Sequence, residues 1–272
     1  DEVRAFAAEV GYPLIVKPPD GAGASGTHRV DDDADLERAS SLSGVEHGVP
    51  VAVAGWMEGH EGFFDTITAG GEVVLAFVCP YYPNVLEAMR TRWISPQFVA
   101  TNRLAAVADY DEVKQMGRAV IDALGIGTSA THMEWFSGPK GLVFSEIGCR
   151  PPGVRAWDLY GVGNDLDLYR EWAQVIVHGS TDRRASRRFA AGIVALRPEG
   201  DGVISGYTGV DEMQQRFGDL VIDAHLPAAG TPTQGVEAGY MANAWVRARH
   251  DDYDHLRHVL DEIGRSVTVH VR

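Results

Sequence analysis

The chain is poor in cysteine and in positive charge, and it has no long apolar run. Cys79 and Cys149 are the two cysteines in 272 residues, which excludes a disulfide framework as the source of stability. Lysine and arginine number 24 against 38 aspartates and glutamates, for a formal net charge of -14. A nucleic-acid groove needs a concentrated basic face, so no nucleic-acid partner is expected. An anionic small molecule is still allowed, because a few local cations can focus the field. No apolar stretch approaches the ~20 residues of a membrane span. No secretory signal pattern is present either, so no membrane partner is expected and the expected location is cytoplasmic. Repeats and low-complexity tracts are also missing.

What is present is ordinary for a globular protein, with 45% hydrophobic and 23% charged residues. The length suits two compact units sharing one cleft. Residue 1 is Asp, and residues 1–10 already read as a helix with Val3, Phe6, Ala7 and Val10 on one stripe. This predicts a chain that starts inside a folded unit, with a preceding lobe expected N-terminal to it.

Periodicity predicts an α+β chain. A strand over 12–17 leads into a glycine loop, and 27–30 returns as a strand. A helix opens at 31–33 and closes at Gly44, and 49–56 is extended. A hairpin is expected over 62–68 and 72–79, and residues 80–108 read as loop and irregular strand. A helix follows over 111–124, a second hairpin over 130–148 and a helix over 165–178. The arginine-rich break at 182–188 reads as a solvated linker or, less simply, as an anion clamp. Strands at 190–196, 203–207, 220–224 and 242–248, a helix over 252–263 and a strand over 266–271 complete the chain. The arginine-rich break sets an expected domain boundary at 181/182.

Two segments carry candidate chemistry. In the first, Val16-Lys17-Pro18-Pro19 runs into Asp20-Gly21-Ala22-Gly23-Ala24-Ser25-Gly26-Thr27. Gly21, Gly23 and Gly26 match G-x-G-x-x-G, but a dinucleotide fingerprint must pass from strand straight into a helix. Residues 27–30 read extended instead. A loop between two antiparallel strands fits better, either as a plain polar hairpin loop or as a lid whose N–H groups and Ser25 hydroxyl hold phosphates. Lys17, at the strand end, reads as a solvated lysine or as a point charge for phosphate.

The second segment is a hairpin bearing Glu134 and Glu146. If Phe136 pairs with Leu142, Glu134 faces Phe144 and Glu146 is its diagonal neighbour on the same face, ~7 Å away or less. Such a pair can hold Mg²⁺ (or Mn²⁺) together with phosphate oxygens and water. A slip of one residue would put the two on opposite faces. Met133, Trp135, Phe136, Val143, Phe144 and Ile147 make the hairpin a buried one, where a charge needs a partner. Arg150 follows before Pro151-Pro152-Gly153, and its planar fork suits a phosphoryl oxygen or a carboxylate. Arg90, Arg92 and Trp93 are weaker candidates for a substrate carboxylate, and His255 and His258 for a second metal. Cys149 reads as a packing residue rather than a nucleophile.

In this order, these residues resemble the ATP-grasp superfamily over roughly residues 1–180, in particular its carboxylate–amine ligases of the amino-acid or dipeptide type. The resemblance implies two α+β lobes enclosing ATP, 1–53 and 54–181, followed by a small strand-rich C-terminal domain, 182–272. It implies ATP and Mg²⁺ (or Mn²⁺) as cofactors, with Lys17, Gly21, Gly23, Ser25 and Gly26 on the phosphates. Trp56, Met57 and Glu58 would lie in the hinge that reads adenine, Glu61 would hold the ribose, Glu134 and Glu146 the metal, and Arg150 the transferring phosphoryl group. Lys17 and Arg150 are thus the expected catalytic residues. Small-molecule carboxylate and amine substrates are the implied partners, and a homodimer is allowed. Ala54-Gly55 stands where the family has an acidic pair, and Gly148 where it has a metal-binding Asn. The implied reaction is ATP-dependent amide bond formation through an acyl phosphate. The alternatives are a biotin-carboxylase-like reaction and a non-catalytic nucleotide-binding module.

Overall fold

The computed structural model describes residues 2–19 and 26–272. The chain divides into two compact units, Asp1–Glu58 and Gly59–Arg272. The boundaries expected after residue 53, from the resemblance, and after residue 181, from composition, stand beside this division at 58/59.

The first unit contains α1 (Glu2–Val10), β1 (Leu14–Lys17), β2 (His28–Val30), α2 (Asp33–Ser43) and β3 (Ala52–Gly55). The strands form an antiparallel sheet in the order β2-β1-β3. Alternation along β1 buries Leu14 and Val16, which pack with Ala7, Val30, Leu36 and Ala39. Asp32 caps α2 by accepting the Asp35 N–H, and Gly44 ends it in the left-handed region at φ 74°.

The second unit is built on an antiparallel sheet of eight strands among the described residues. Its elements are β4 (His60–Ala69), β5 (Glu72–Tyr82), α3 (Val85–Ala88), β6 (Gln97–Ala100), α4 (Asp109–Ala123), β7 (Ser129–Gly138), β8 (Gly141–Gly148), α5 (Ala156–Asn164), α6 (Leu168–His178), β9 (Ala190–Leu196), β10 (Ile204–Thr208), α7 (Val210–Phe217), β11 (Val221–His225), β12 (Ala244–His250), α8 (Tyr253–Ser266) and β13 (Thr268–Val271). The strand order is β11-β12-β9-β6-β5-β4-β7-β8, with β10 and β13 paired separately.

Layers of side chains pack on both faces of the sheet. Phe64, Val78, Met133 and Trp135 pack with Leu104 and Val113 on one face. Phe63, Phe77, Cys79 and Tyr81 pack with Trp157, Leu159 and Tyr160 on the other. Val99, Val194 and Val246 are closed over by Leu256, Val259 and Leu260 of α8. At ~25 cal/mol per Å² of apolar area, these layers supply the main driving force for folding.

Several expectations are corrected. Residues 80–108 contain the end of β5, the short helix α3 and the sheet strand β6. Two helices, α5 and α7, were not expected. Strand β9, beyond the arginine-rich break, hydrogen-bonds to β6 and β12 within the one sheet. The break is not wholly solvated either: Arg187 lies over the Phe77 ring at 5.0 Å and donates to the Ala76 carbonyl, and burial pushes its guanidinium down to about 10.

Candidate active site

In the first unit, Lys17 ends β1 half-buried, opposite Ala52 of β3. β2 returns antiparallel to β1, with Val16 opposite His28. Among the described residues, the element that follows β1 is thus an antiparallel strand, whereas a dinucleotide fingerprint leads from its strand into a helix. Gly21, Gly23 and Ser25 lie outside the described residues. Gly26 is described: its φ of 68° is one that glycine adopts readily, and a Cβ there would meet Pro18 Cγ at 3.0 Å, so the proline ring would have to give by a few tenths of an ångström.

The expected adenine segment follows β3. The Trp56 N–H donates to the Pro13 carbonyl at 2.9 Å, and the Arg29 guanidinium lies 4.4 Å over its ring. Met57 is half-buried and Glu58 exposed.

In the second unit, the hairpin β7–β8 brings the two glutamates together by a route the sequence did not predict. Gly138 pairs with Gly141, Ser137 with Leu142, Phe136 with Val143 and Trp135 with Phe144. This register is one residue away from the expected pairing of Phe136 with Leu142. Continued regularly, it would place Glu134 opposite Ser145 and turn Glu146 to the other face. The register instead shifts between Glu134 and Trp135, so that Glu134 stands directly opposite Glu146. This is a β-bulge with Ser145 as the extra residue, and bulges re-aim side chains in this way.

Across β4, Glu134 faces Phe63, His132 faces Asp65 and Phe136 faces Glu61. Asp65 is fully buried and needs partners there. His132 Nδ1 lies 2.6 Å from Asp65 Oδ1, and the Tyr160 hydroxyl of α5 donates to Asp65 Oδ2 at 2.5 Å. The far edge of the ring, Nε2, is 3.7 Å from Glu134 Oε1, a close ion pair rather than a hydrogen bond. Burial alone would push the imidazole down. The Asp65 carboxylate, helped by Glu134, outweighs it and raises His132 to about 10, so the ring is a cation at neutral pH.

Helix α5 covers this face at Asp65. The Glu134 side chain retains 21% exposure, and Glu146 is exposed. The two carboxylates therefore sit where the sheet face opens to solvent.

Glu61 is buried, and its Oε2 accepts the Val85 N–H of α3 at 2.6 Å. Arg150 is exposed, with Nη1 donating to the Pro151 carbonyl at 2.9 Å. Gly148 stands opposite His132, and a Cβ at Gly148 would lie 3.4 Å from Arg150 Cγ and 3.5 Å from its Nε. Arg150 thus lies beside position 148, where a Cβ would make ordinary van der Waals contact with it. Val154 and Arg155, in the turn that follows, both adopt left-handed backbone at φ 47° and 55°, which costs energy in non-glycine residues.

Arg92 pairs with Asp201 at 2.6 Å, and Trp93 is 88% exposed. Among the described residues, no group of three His, Cys, Asp or Glu side chains is arranged to hold a metal by itself. Two opposed carboxylates nonetheless suit Mg²⁺, which keeps waters and substrate phosphates around one or two protein carboxylates. Asp65 and Tyr160 escaped the sequence reading. An aspartate inside the apolar run 62–68 was the available signal, since a buried carboxylate demands partners.

No protein-family model matches the chain. It is 24% identical over 230 residues to an L-arginine-specific L-amino acid ligase of Bacillus subtilis, covering 82% of this chain and 54% of that one. Among solved structures, it is similar to the L-amino acid ligase from Bacillus licheniformis with a TM-score of 0.72 and 19% identity, over 98% of this chain and 66% of that one. It is also similar to the biotin carboxylase domain of the Hydrogenobacter thermophilus 2-oxoglutarate carboxylase, in complex with MgADP, ADP and bicarbonate. There the TM-score is 0.60 and the identity 14%, over 97% of this chain and 63% of that one. The chain thus spans about half the length of the curated ligase and less than two thirds of either solved chain. The chain has the ATP-grasp fold.

Proposed function

We propose that this chain is the nucleotide- and metal-binding part of an ATP-dependent carboxylate–amine ligase. The observation that carries the reading is the direct opposition of Glu134 and Glu146 on the open part of the sheet face, in a chain of ATP-grasp fold. The 24% identity to an amino acid ligase over most of this chain favours amino acids as substrates.

In the proposed reaction, a substrate carboxylate oxygen attacks the γ-phosphorus of ATP. The bond to the β,γ-bridging oxygen breaks, and ADP leaves with an acyl phosphate formed. An amine nitrogen then attacks the acyl carbon, the bond to the phosphate oxygen breaks, and inorganic phosphate and a proton are released. Lys17 and the glycine loop hold the phosphates of the nucleotide. Trp56, Met57, Glu58 and Glu61 belong to the adenosine end. Glu134 and Glu146 hold Mg²⁺, which when bound neutralises charge on the phosphate oxygens. Arg150 steadies the transferring phosphoryl group. Small carboxylates and amines are the partners, a homodimer is the proposed assembly, and the cytoplasm is the proposed location. Among the described residues, no helix is long and apolar enough to cross a membrane.

The test is a phosphate-release screen of the protein across amino-acid pairs, with Glu146→Ala beside the wild type. Amine-dependent ADP release that disappears in the variant is expected. Near-normal turnover in Glu146→Ala refutes the metal assignment. Release that requires bicarbonate and ignores amines transfers the chain to the carboxylase reaction. Binding of Mg²⁺–ATP with no phosphate release for any carboxylate leaves a nucleotide-binding module.

A further inference from the structure

We infer that His132, clamped by Asp65 and Tyr160, is a positioning residue that sets the carboxylate of Glu134 for the metal. The inference rests on the metal role proposed for Glu134 and Glu146, and it concerns three residues to which that reading gives no part.

β7 places His132 two residues before Glu134, on the same face of the sheet. One ring edge is fixed, because Nδ1 lies 2.6 Å from Asp65 Oδ1. Asp65 in turn is fixed by the Tyr160 hydroxyl at 2.5 Å. Asp65 lies on β4 and Tyr160 on α5, so two other elements hold the ring that β7 carries. The Phe63 ring meets the imidazole edge-on, with centroids 5.1 Å apart, which further restricts its rotation. The free edge, Nε2, is thereby pointed at Glu134 Oε1, 3.7 Å away.

The arrangement is a carboxylate, an imidazole and a second carboxylate in line, with a phenol behind the first. In metal sites, partners behind the ligands fix ligand orientation, and their loss typically weakens metal affinity 10–100-fold. Here the line ends on a carboxylate rather than on the metal. Glu134 and Glu146 are directly opposed like charges, and without an anchor each side chain would swing away from the other. An imidazole edge fixed 3.7 Å from one oxygen of Glu134 restricts the swing of that side chain and leaves its second oxygen for a cation. His132 is not itself assigned as a ligand, because its remaining nitrogen faces Glu134. The plain structural alternative is that Asp65, His132 and Tyr160 only satisfy one another's buried polar atoms.

The experiment measures Mn²⁺ affinity of the chain by titration calorimetry and by the electron spin resonance of free Mn²⁺, with and without ADP. The variants are His132→Ala, His132→Gln, Tyr160→Phe and Glu134→Ala, each checked for folding by circular dichroism. Folded His132→Ala should lose about tenfold or more in Mn²⁺ affinity. His132→Gln, whose amide can still donate toward Glu134, should recover part of the loss, which a merely structural role would not produce. Tyr160→Phe should lose less than His132→Ala. If His132→Ala fails to fold, the comparison of Tyr160→Phe and His132→Gln with wild type decides. Unchanged affinity in the folded His132 variants, beside lost affinity in Glu134→Ala, overturns the inference and spares the metal site. Unchanged affinity in Glu134→Ala, or no Mn²⁺ binding by the wild type, overturns both.

Discussion

Glu134 stands directly opposite Glu146, although its neighbour Trp135 stands opposite Phe144. The one-residue bulge at Ser145 is what puts two carboxylates on one face of the sheet. Like charges directly opposed on a sheet destabilise it by roughly 0.2–1 kcal/mol. The fold keeps them together at the open part of the face, beside the cationic ring of His132.

Removing one of these charges should therefore separate stability from activity. Glu146→Gln is expected to melt at the same temperature as the wild type or slightly higher in the presence of a chelator. Its nucleotide-dependent turnover should fall by about two orders of magnitude or more. Thermal melts and ADP release on the same preparation check both halves. A large loss of melting temperature would show that Glu146 is structural.

Asp65, His132 and Tyr160 should behave as one unit in unfolding. Asp65→Ala leaves a buried imidazole, no longer held protonated by Asp65, and a buried phenol without their acceptor, and should cost about 1–3 kcal/mol for each unsatisfied group. Tyr160→Phe removes one hydrogen bond and should cost about 1–3 kcal/mol. The double variant should cost clearly less than the sum, because both changes break the same network. Urea denaturation of the three variants gives the coupling, and strict additivity would contradict the shared network.

Alkaline pH should weaken the fold through its tyrosines. Burial, with the Asp65 carboxylate adding to it, pushes the Tyr160 phenol well above its ordinary value. Burial raises Tyr110 to about 12. A phenol raised on folding favours the folded state fully below pH ~10, where the unfolded chain also keeps its proton. That contribution is lost as pH climbs from ~10 toward the folded value. Denaturation midpoints should drop over that window, and the drop should be shallower in Tyr110→Phe. Ultraviolet titration should show fewer ionised tyrosines in the native protein than in urea near pH 11, and equal numbers would refute the burial argument.

Gly59 opens β4 at φ 136°, and a Cβ there would lie 2.3 Å from the Ser137 carbonyl oxygen. That neighbour is backbone at the turn end of β7 and cannot swing aside. Gly59→Ala should therefore destabilise the protein by roughly 2 kcal/mol or more, and it should disturb the pairing of His60 with Ser137. Hydrogen exchange at the β4–β7 ladder reads this directly, and unchanged protection there would show that the backbone gives way cheaply.

The sequence by itself determined the local elements that have a clear period. The apolar stripe of α8, the apolar run of β1 and the glycine stops at Gly44 and Gly179 are near-neighbour effects, and near-neighbour effects are written in the chain. Lys17, Glu134, Glu146 and Arg150 are candidates from the same reading, and their roles are those proposed above. Helix α5 was missed for the converse reason. Ala156, Trp157, Leu159, Tyr160, Gly163 and Asn164 are all buried, so no polar stripe marks a period. Its glycines answer to distant backbone, with a Cβ at Gly161 only 2.8 Å from the Leu166 oxygen and one at Gly163 only 2.8 Å from the Phe189 oxygen.

Tertiary structure alone decided how the charged residues of the second unit are arranged. Whether Glu134 meets Glu146 depends on one unpaired residue in β8, and a slip by one position reverses every side chain of a strand. Whether His132 has partners depends on Asp65, 67 residues earlier, and on Tyr160, which reaches Asp65 from a helix the pattern did not reveal. Register and long-range pairing are set by the whole sheet closing on its core, so no local window of the chain contains them.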